Sequence, residues 1–264
     1  MKIEYTLIKM KTRLDVLLVE KGIAPSRERA QALILAGRVL VNEQKIEKPG
    51  TGVSSDAALR VLGEDLRYVS RGGLKLESAL EHWSINLADR ACLDVGTSTG
   101  GFVDCMLQHG AARVIAVDTG YGQIAQLLRS DSRVELRERT NARHLRPGDL
   151  PAGISFLSMD VSFISATLVL PAVIAALRAD RSPMASDAES ELLEGVVLVK
   201  PQFEAGREHV GKGGIVRDPA AHALAVERVR ICVADLGGRD VEWIDSPILG
   251  AEGNREFLLH VRFR

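Results

Sequence analysis

The stretch that most constrains the fold is Ala91 to Phe102, ACLDVGTSTGGF. Its apolar start reads as a strand, Gly96, Gly100 and Gly101 admit a tight turn with positive φ, and Phe102, Val103, Met106 and Leu107 continue at helical spacing. This is the first β-loop-α unit of a nucleotide-type site. A dinucleotide fingerprint would carry glycine where Ser98 stands, so close approach of a pyrophosphate is not provided for, and a cofactor without phosphates fits better. Asp118 closes the next apolar run, RVIAVD, 24 residues after Asp94, the spacing at which a carboxylate takes ribose hydroxyls. Glycine turn plus ribose acid suggests S-adenosylmethionine. The competing reading is an ordinary α/β turn with a solvated acid.

Strand-like and helical segments alternate beyond this turn. Strands are expected at Ala91 to Val95, Arg113 to Asp118, Val134 to Arg139, Gly153 to Met159, Val196 to Lys200, Val241 to Ile244 and Phe257 to Phe263, with helices including Ser165 to Arg178 and Pro219 to Leu236. The alternation predicts an α/β fold with a mainly parallel sheet covered on both faces. Asp180 to Glu194 is polar and reads as an excursion before a buried strand. The 264 residues suffice for one medium and one small domain. Cys92, Cys105 and Cys232 lie far apart among apolar residues, which points to a reducing, cytoplasmic setting without zinc or disulfides. No signal peptide is legible, and the longest apolar stretch, Ile164 to Leu177, is too short to cross a bilayer.

Charge is divided unevenly. Residues 1 to 75 hold 14 Lys or Arg against 9 Asp or Glu, whereas the remainder holds 20 against 26. A cationic front suggests an appended module that meets a polyanion. Residues 1 to 12 carry no motif and read as an extension. From Arg13, RLDVLLVEKG places Leu14, Leu17 and Leu18 on one helical face and stops at Gly22. Pro25-Ser26 opens a second helix with Ser26 as N-cap, and RVLVNEQKIEKPG alternates like a ribbon that turns near Asn42-Glu43. Two short helices followed by a ribbon, with RLD, SRERA, AG and VLVN in order, resemble the S4 RNA-binding domain, a small α+β module over residues 13 to 63. The resemblance implies that Arg13, Arg27, Arg29, Arg38 and Lys45 face structured RNA, joined by Arg67 and Arg71 in the connector 64 to 72. Few aromatics accompany them, so phosphate and shape contacts are expected more than base stacking.

In a doubly wound sheet, ligands sit outside the carboxyl ends of the strands. Those ends carry Asp94, Asp118, Asn141, Asp160 in SMDVSFIS and Lys200 in VLVKPQFE. Glu256, in GAEGNREF, begins the last strand and reaches the same edge if that strand runs antiparallel. Lys75 stands near the start of the helix LKLESALEHW, where an ammonium opposes the helix dipole. A lysine closing the apolar run VVLVK must be paired or desolvated, and a Lys200-Asp160 bridge that only staples the sheet is the alternative to a catalytic base.

Lys75, Asp160, Lys200 and Glu256, in SRGGLKL, DVSFIS, KPQFE and GNREF, resemble the K-D-K-E tetrad of the FtsJ-like ribose 2′-O-methyltransferases. With the S4-like front and the DVGTSTGGF loop, the chain from Arg13 onward is similar to the TlyA family of ribosomal RNA methyltransferases. The resemblance implies a Rossmann-like methyltransferase domain over 73 to 264, seven strands with the last antiparallel, and S-adenosylmethionine as cofactor. It places Asp94, Gly96, Thr99, Gly101, Phe102, Asp118, Asn141 and Asp160 around that cofactor, calls for no metal, and makes cytidine 2′-hydroxyls of ribosomal RNA or ribosomal subunits the target. In this reading Lys200 takes the 2′ proton, Asp160 and Glu256 orient the lysines, and Lys75 stabilises charge on oxygen. The rival readings are a non-catalytic RNA-binding protein of the same fold, a membrane-active haemolysin and a nicotinamide-dependent oxidoreductase, the last disfavoured by Ser98.

Overall fold

The computed structural model describes residues 11–24, 26–35, 37–62, 67–179, 193–250 and 253–263. The chain divides into two compact units, residues 1–66 and 67–264.

The first unit runs β1 (Lys11–Arg13), α1 (Leu14–Glu20), α2 (Arg27–Leu35), β2 (Val39–Val41), β3 (Gln44–Ile46), β4 (Gly52–Ser54) and β5 (Leu59–Val61). Leu14, Leu17 and Leu18 of α1 meet Ala30, Leu33 and Ile34 of α2 in one core, as the helical spacing requires. Ser26 Oγ accepts the Arg29 amide at 3.2 Å, as expected of an N-cap, while the helix start at Pro25 lies outside the described residues. The ribbon turns through Asn42 and Glu43, both at positive φ, between the antiparallel β2 and β3, and β5 pairs with the other edge of β2. Lys11 and Thr12 are not an extension: they pair antiparallel with Ser54 and Val53 in β4. Residues 1 to 10 lie outside the described residues.

The second unit continues with α3 (Gly72–His82), β6 (Ala91–Val95), α4 (Gly101–Gln108), β7 (Arg113–Val117), α5 (Gln126–Arg129), β8 (Val134–Arg137), β9 (Ile154–Met159), α6 (Leu170–Arg178), β10 (Leu193–Val199), α7 (Pro201–Glu204), α8 (Pro219–Asp235), β11 (Gly238–Asp245) and β12 (Phe257–Phe263). The seven strands lie in the order β11-β12-β10-β9-β6-β7-β8. Only β12 runs antiparallel to its neighbours, which brings its first residue to the edge where the other strands end. Alternate strand residues serve the two faces. Val196 and Leu198 pack with α3 and α4 through Leu76, Leu80, Val103 and Met106, and Val197 and Val199 pack with α6 and α8 through Ile174 and Val229.

Several boundaries depart from the periodicity. The strand expected through Lys200 stops at Val199, because Pro201 opens α7 and holds the preceding residue extended outside the ladder. The strand expected through Asp118 stops at Val117, since the Asp118 carboxylate turns to accept loop amides. The one ending at Arg139 stops at Arg137, and Arg139 itself has a positive φ of 53°. Ser165 to Arg178 is a 3-10 turn at Ala166–Leu168 followed by α6, with Pro171 in its first turn, where a missing N–H costs nothing. Of the polar excursion, residues 180–192 lie outside the described residues and Leu193 and Glu194 are already in β10. Tyr68, in the connector, is buried against Gly73 in the core of the second unit; the connector residues 64–66 lie outside the described residues.

Candidate active site

The glycine turn is built as its composition demands. Gly96 and Gly100 have φ of 91° and 95°, and Ser98 between them also occupies the left-handed region. A Cβ on Gly96 would lie 2.3 Å from the carbonyl oxygen of Asp160, so the ends of β6 and β9 touch backbone to backbone. Gly101 serves a helix contact instead. A Cβ there would strike Ser70 Oγ and the Gly73 amide, so its absence admits the start of α3 against the start of α4. Through that contact the helix carrying Lys75 is seated on the helix that follows the glycine turn.

A cavity of about 470 Å³ opens beside this turn, within the range of small-molecule sites. Gly96, Asp118, Asn141 and Asp160 line it. Asp118 is fixed by two amides, accepting from Ser98 at 2.7 Å and Gly120 at 2.6 Å. Asn141 Oδ1 accepts the Arg143 amide, which holds the side chain beyond the end of β8. Four expected cofactor contacts stand elsewhere. Asp94 is fully buried beneath the turn, its Oδ1 accepting from Ser158 Oγ at 2.7 Å, and burial pushes its carboxyl up to about 7. Thr99 is exposed outside the lining, its carbonyl accepting the Ala125 amide. Gly101 and Phe102 are packing residues between α3 and α4.

The tetrad assembles as two amine–acid pairs, Lys75–Glu256 buried and Lys200–Asp160 partly open through its acid. Lys75 Nζ lies 2.5 Å from Glu256 Oε2, and Lys200 Nζ lies 2.5 Å from Asp160 Oδ1. Both lysine side chains are only 10% exposed, so each charge depends on its partner. The pairs are joined through the sheet: Val199 lies opposite Phe257, placing Lys200 and Glu256 just beyond the last paired residues of adjacent strands. Asp160 belongs both to the second pair and to the cavity wall.

Ser162 and Phe163 also line the cavity and were not singled out in the sequence. Ser162 Oγ accepts a hydrogen bond from Lys200 Nζ at 2.7 Å. Phe163 is 91% exposed at a positive φ of 63°, with its ring 5.7 Å from that of Phe203. The available signal was their position in the turn that follows a strand-end acid, where a bulky residue at the mouth gains nothing from the core.

In the first unit Arg13 and Arg27 converge on the fully buried Asp15, at 2.9 Å and 3.3 Å, and Gln31 donates to the same oxygen at 2.9 Å. Arg29 is half-buried on α2, Arg38 Nε donates to the Leu62 carbonyl, and Lys45 pairs with Glu47. Arg67 belongs to the second unit, where it pairs with Glu77 and its guanidinium lies over the Tyr68 ring. Arg71 is exposed immediately before α3. Among the described residues no cluster of His, Cys, Asp and Glu suits a metal ion, and no helix is long and apolar enough to cross a membrane.

The sequence model of the FtsJ-like methyltransferases matches residues 68–263, and that of the S4 domain matches residues 12–59. A Bacillus subtilis protein, YqxC, provisionally described as an rRNA methyltransferase, is 49% identical over 254 residues, 96% of this chain and 86% of that protein. The 16S/23S rRNA (cytidine-2'-O)-methyltransferase TlyA of Mycobacterium tuberculosis is 43% identical over 253 residues, 96% of this chain and 90% of that one. A solved structure from Streptococcus thermophilus, provisionally described as a hemolysin, superposes with a TM-score of 0.70 at 43% identity, covering 97% of this chain and 89% of the other.

Proposed function

The chain belongs to the FtsJ-like methyltransferase family and carries an S4 domain ahead of the methyltransferase domain, and on that premise we propose that it methylates a ribose 2′-hydroxyl, that of a cytidine, in ribosomal RNA. The single observation that carries this reading is the adjacency of the Lys200–Asp160 pair to the cavity that Asp160 itself lines. Capture of RNA falls to residues 13–63 and chemistry to residues 73–264.

The residues fit S-adenosylmethionine. The cradle at Gly96 leaves no room for a Cβ, the cavity is of ligand size, and Asp118 and Asn141 place polar groups at its wall. When bound, S-adenosylmethionine supplies a methyl group already activated on a sulfonium. What the chain itself must do is align a weak nucleophile and take its proton. In its neutral form Lys200 accepts the proton of the 2′-hydroxyl and becomes the ammonium, which Asp160 then neutralises and orients. Lys75, oriented by Glu256, stabilises negative charge as it develops on the 2′-oxygen. Asp118 and Asn141 hold the nucleoside part of the cofactor. Arg13 and Arg27, held together by Asp15 and half-exposed at the first unit's surface, grip RNA phosphates.

The test is methyl transfer from labelled S-adenosylmethionine to separated ribosomal subunits, with the product mapped by primer extension at low nucleotide concentration. A stop at a cytidine is expected. Label on a base, or none on either subunit or on free ribosomal RNA, contradicts the reading.

A further inference from the structure

The turn after β9 offers Lys200 a second partner besides its acid. Lys200 Nζ lies 2.5 Å from Asp160 Oδ1 and donates to Ser162 Oγ at 2.7 Å. Both partners, one by charge and one by hydrogen bond, belong to one short segment, Asp160-Val161-Ser162, and both line the cavity. We propose that Ser162 is a positioning residue that aims the lone pair of the Lys200 amine into that cavity, which rests on the methyltransferase reading above.

The geometry follows from the tetrahedral nitrogen. A neutral lysine amine has one bond to carbon, two N–H groups and one lone pair. Asp160 Oδ1 contacts the nitrogen as an ion-pair partner but accepts no N–H in hydrogen-bond geometry, so without Ser162 the amine rotates about its last C–N bond and the lone pair samples all three staggered positions. With Ser162 accepting, one N–H is assigned and the lone pair is confined to the two remaining directions. A general base works only in the orientation that reaches its proton, so removing the lone-pair direction that faces Ser162 from competition acts on the chemical step and leaves ligand binding untouched.

The segment is held in place from the other arm of the site. Glu204, on α7 four residues after Lys200, is buried and accepts from Ser165 Oγ at 2.5 Å and from the Ala166 amide at 2.7 Å. Arg228 in turn donates to the Glu204 carbonyl at 2.6 Å. The turn bearing Asp160 and Ser162 is thereby tied to the one bearing Lys200, so the serine meets the amine in the resting protein without a closure step. Ser162 is itself exposed, so its hydroxyl carries no part of the core.

Ser162→Ala and Ser162→Thr test this in the full-length protein with ribosomal subunits. For Ser162→Ala, kcat is expected to fall about 2- to 10-fold, the size of one lost hydrogen bond, while KM and the calorimetric Kd for S-adenosylmethionine stay within about twofold of the parent. Ser162→Thr, which keeps the hydroxyl, restores most of kcat. Ser162→Ala added to Lys200→Ala costs nothing further, because the serine acts through the lysine. A crystal structure of Ser162→Ala is expected to show Lys200 Nζ turned from its parental position. Parental kcat in Ser162→Ala, or a loss of cofactor affinity that accounts for the lost activity, overturns the proposal. Absence of methyl transfer by the unsubstituted protein instead overturns the methyltransferase reading beneath it.

Discussion

Lys75 and Glu256 stand 181 positions apart in the chain and meet as a buried ion pair, with Nζ 2.5 Å from Oε2. The pair closes only because β12 runs against its neighbours, which carries Glu256 to the edge where β10 delivers Lys200. Helix α3 reaches the same edge by stacking Gly73 and Gly101 almost in contact. Topology and two glycines thus place an amine at a site its sequence neighbours do not share.

Breaking this pair from one side is expected to be costly. Lys75→Met leaves the Glu256 carboxylate buried and unpaired, with an expected loss of about 3–5 kcal/mol of stability. Adding Glu256→Gln returns most of it. Urea denaturation of the two variants reads the difference, and a single substitution no worse than the double contradicts the buried-pair account.

Gly96→Ala places a Cβ 2.3 Å from the Asp160 carbonyl oxygen at a φ of 91°. The two strand ends must part, and the cavity wall moves with them. Calorimetry with S-adenosylmethionine is expected to show at least a tenfold weaker Kd, on the order of 1.4 kcal/mol. Unchanged affinity would remove the glycine turn from the cofactor site.

Asp94 gives the fold a pH dependence of known sign. Burial raises its carboxyl from 3.8 to about 7, so the folded state holds a proton that the unfolded chain releases. Its contribution is complete below about pH 4, declines as pH rises towards 7, and is flat above. The slope is at most about 1.4 kcal/mol per pH unit. Urea midpoints of the native protein and Asp94→Asn at pH 5, 6 and 7 are expected to converge on acidification, with the variant showing the shallower slope.

Asp15 behaves in the opposite sense. The Arg13 guanidinium, with Gln31 and Arg27, holds its carboxyl far below the usual range, so its contribution is present above about pH 4 and is lost as pH falls. Hydrogen exchange is expected to show α1 and α2 losing protection on acidification. In Asp15→Asn those helices are less protected at neutral pH and change less in acid. Since Arg13 and Arg27 lose their shared anchor, RNA affinity falls with them, which filter binding at fixed salt measures.

The parallel sheet and the strand-end acids were legible because apolar runs bounded by glycine and ending in a charge state both the element and its active edge. Asp160 and Lys200 could be paired on that basis alone. What the residues did not reveal is division of labour within a motif. Gly96 and Gly101 look alike in DVGTSTGGF, yet one shapes the cavity and the other seats a helix, a difference fixed by what lies across from each. Asp94 and Asp118 both end apolar runs, but Asp94 sits within β6 under the turn and only Asp118 reaches the cavity. Ser162 escaped notice because its role depends on a lysine 38 positions away. Strand β1 escaped for the same reason: Lys11 to Arg13 is polar and three residues long, and only its partner at Gly52 to Ser54 makes it a strand.

The most direct measurement separates binding from chemistry at Lys200. Lys200→Ala, assayed with labelled S-adenosylmethionine and ribosomal subunits, is expected to bind the cofactor with an affinity within a few-fold of the parent and to transfer methyl groups at least 100-fold more slowly. Methyl transfer at the parental rate in that variant contradicts the account, because the amine beside the cavity would then be a staple of the sheet and nothing more.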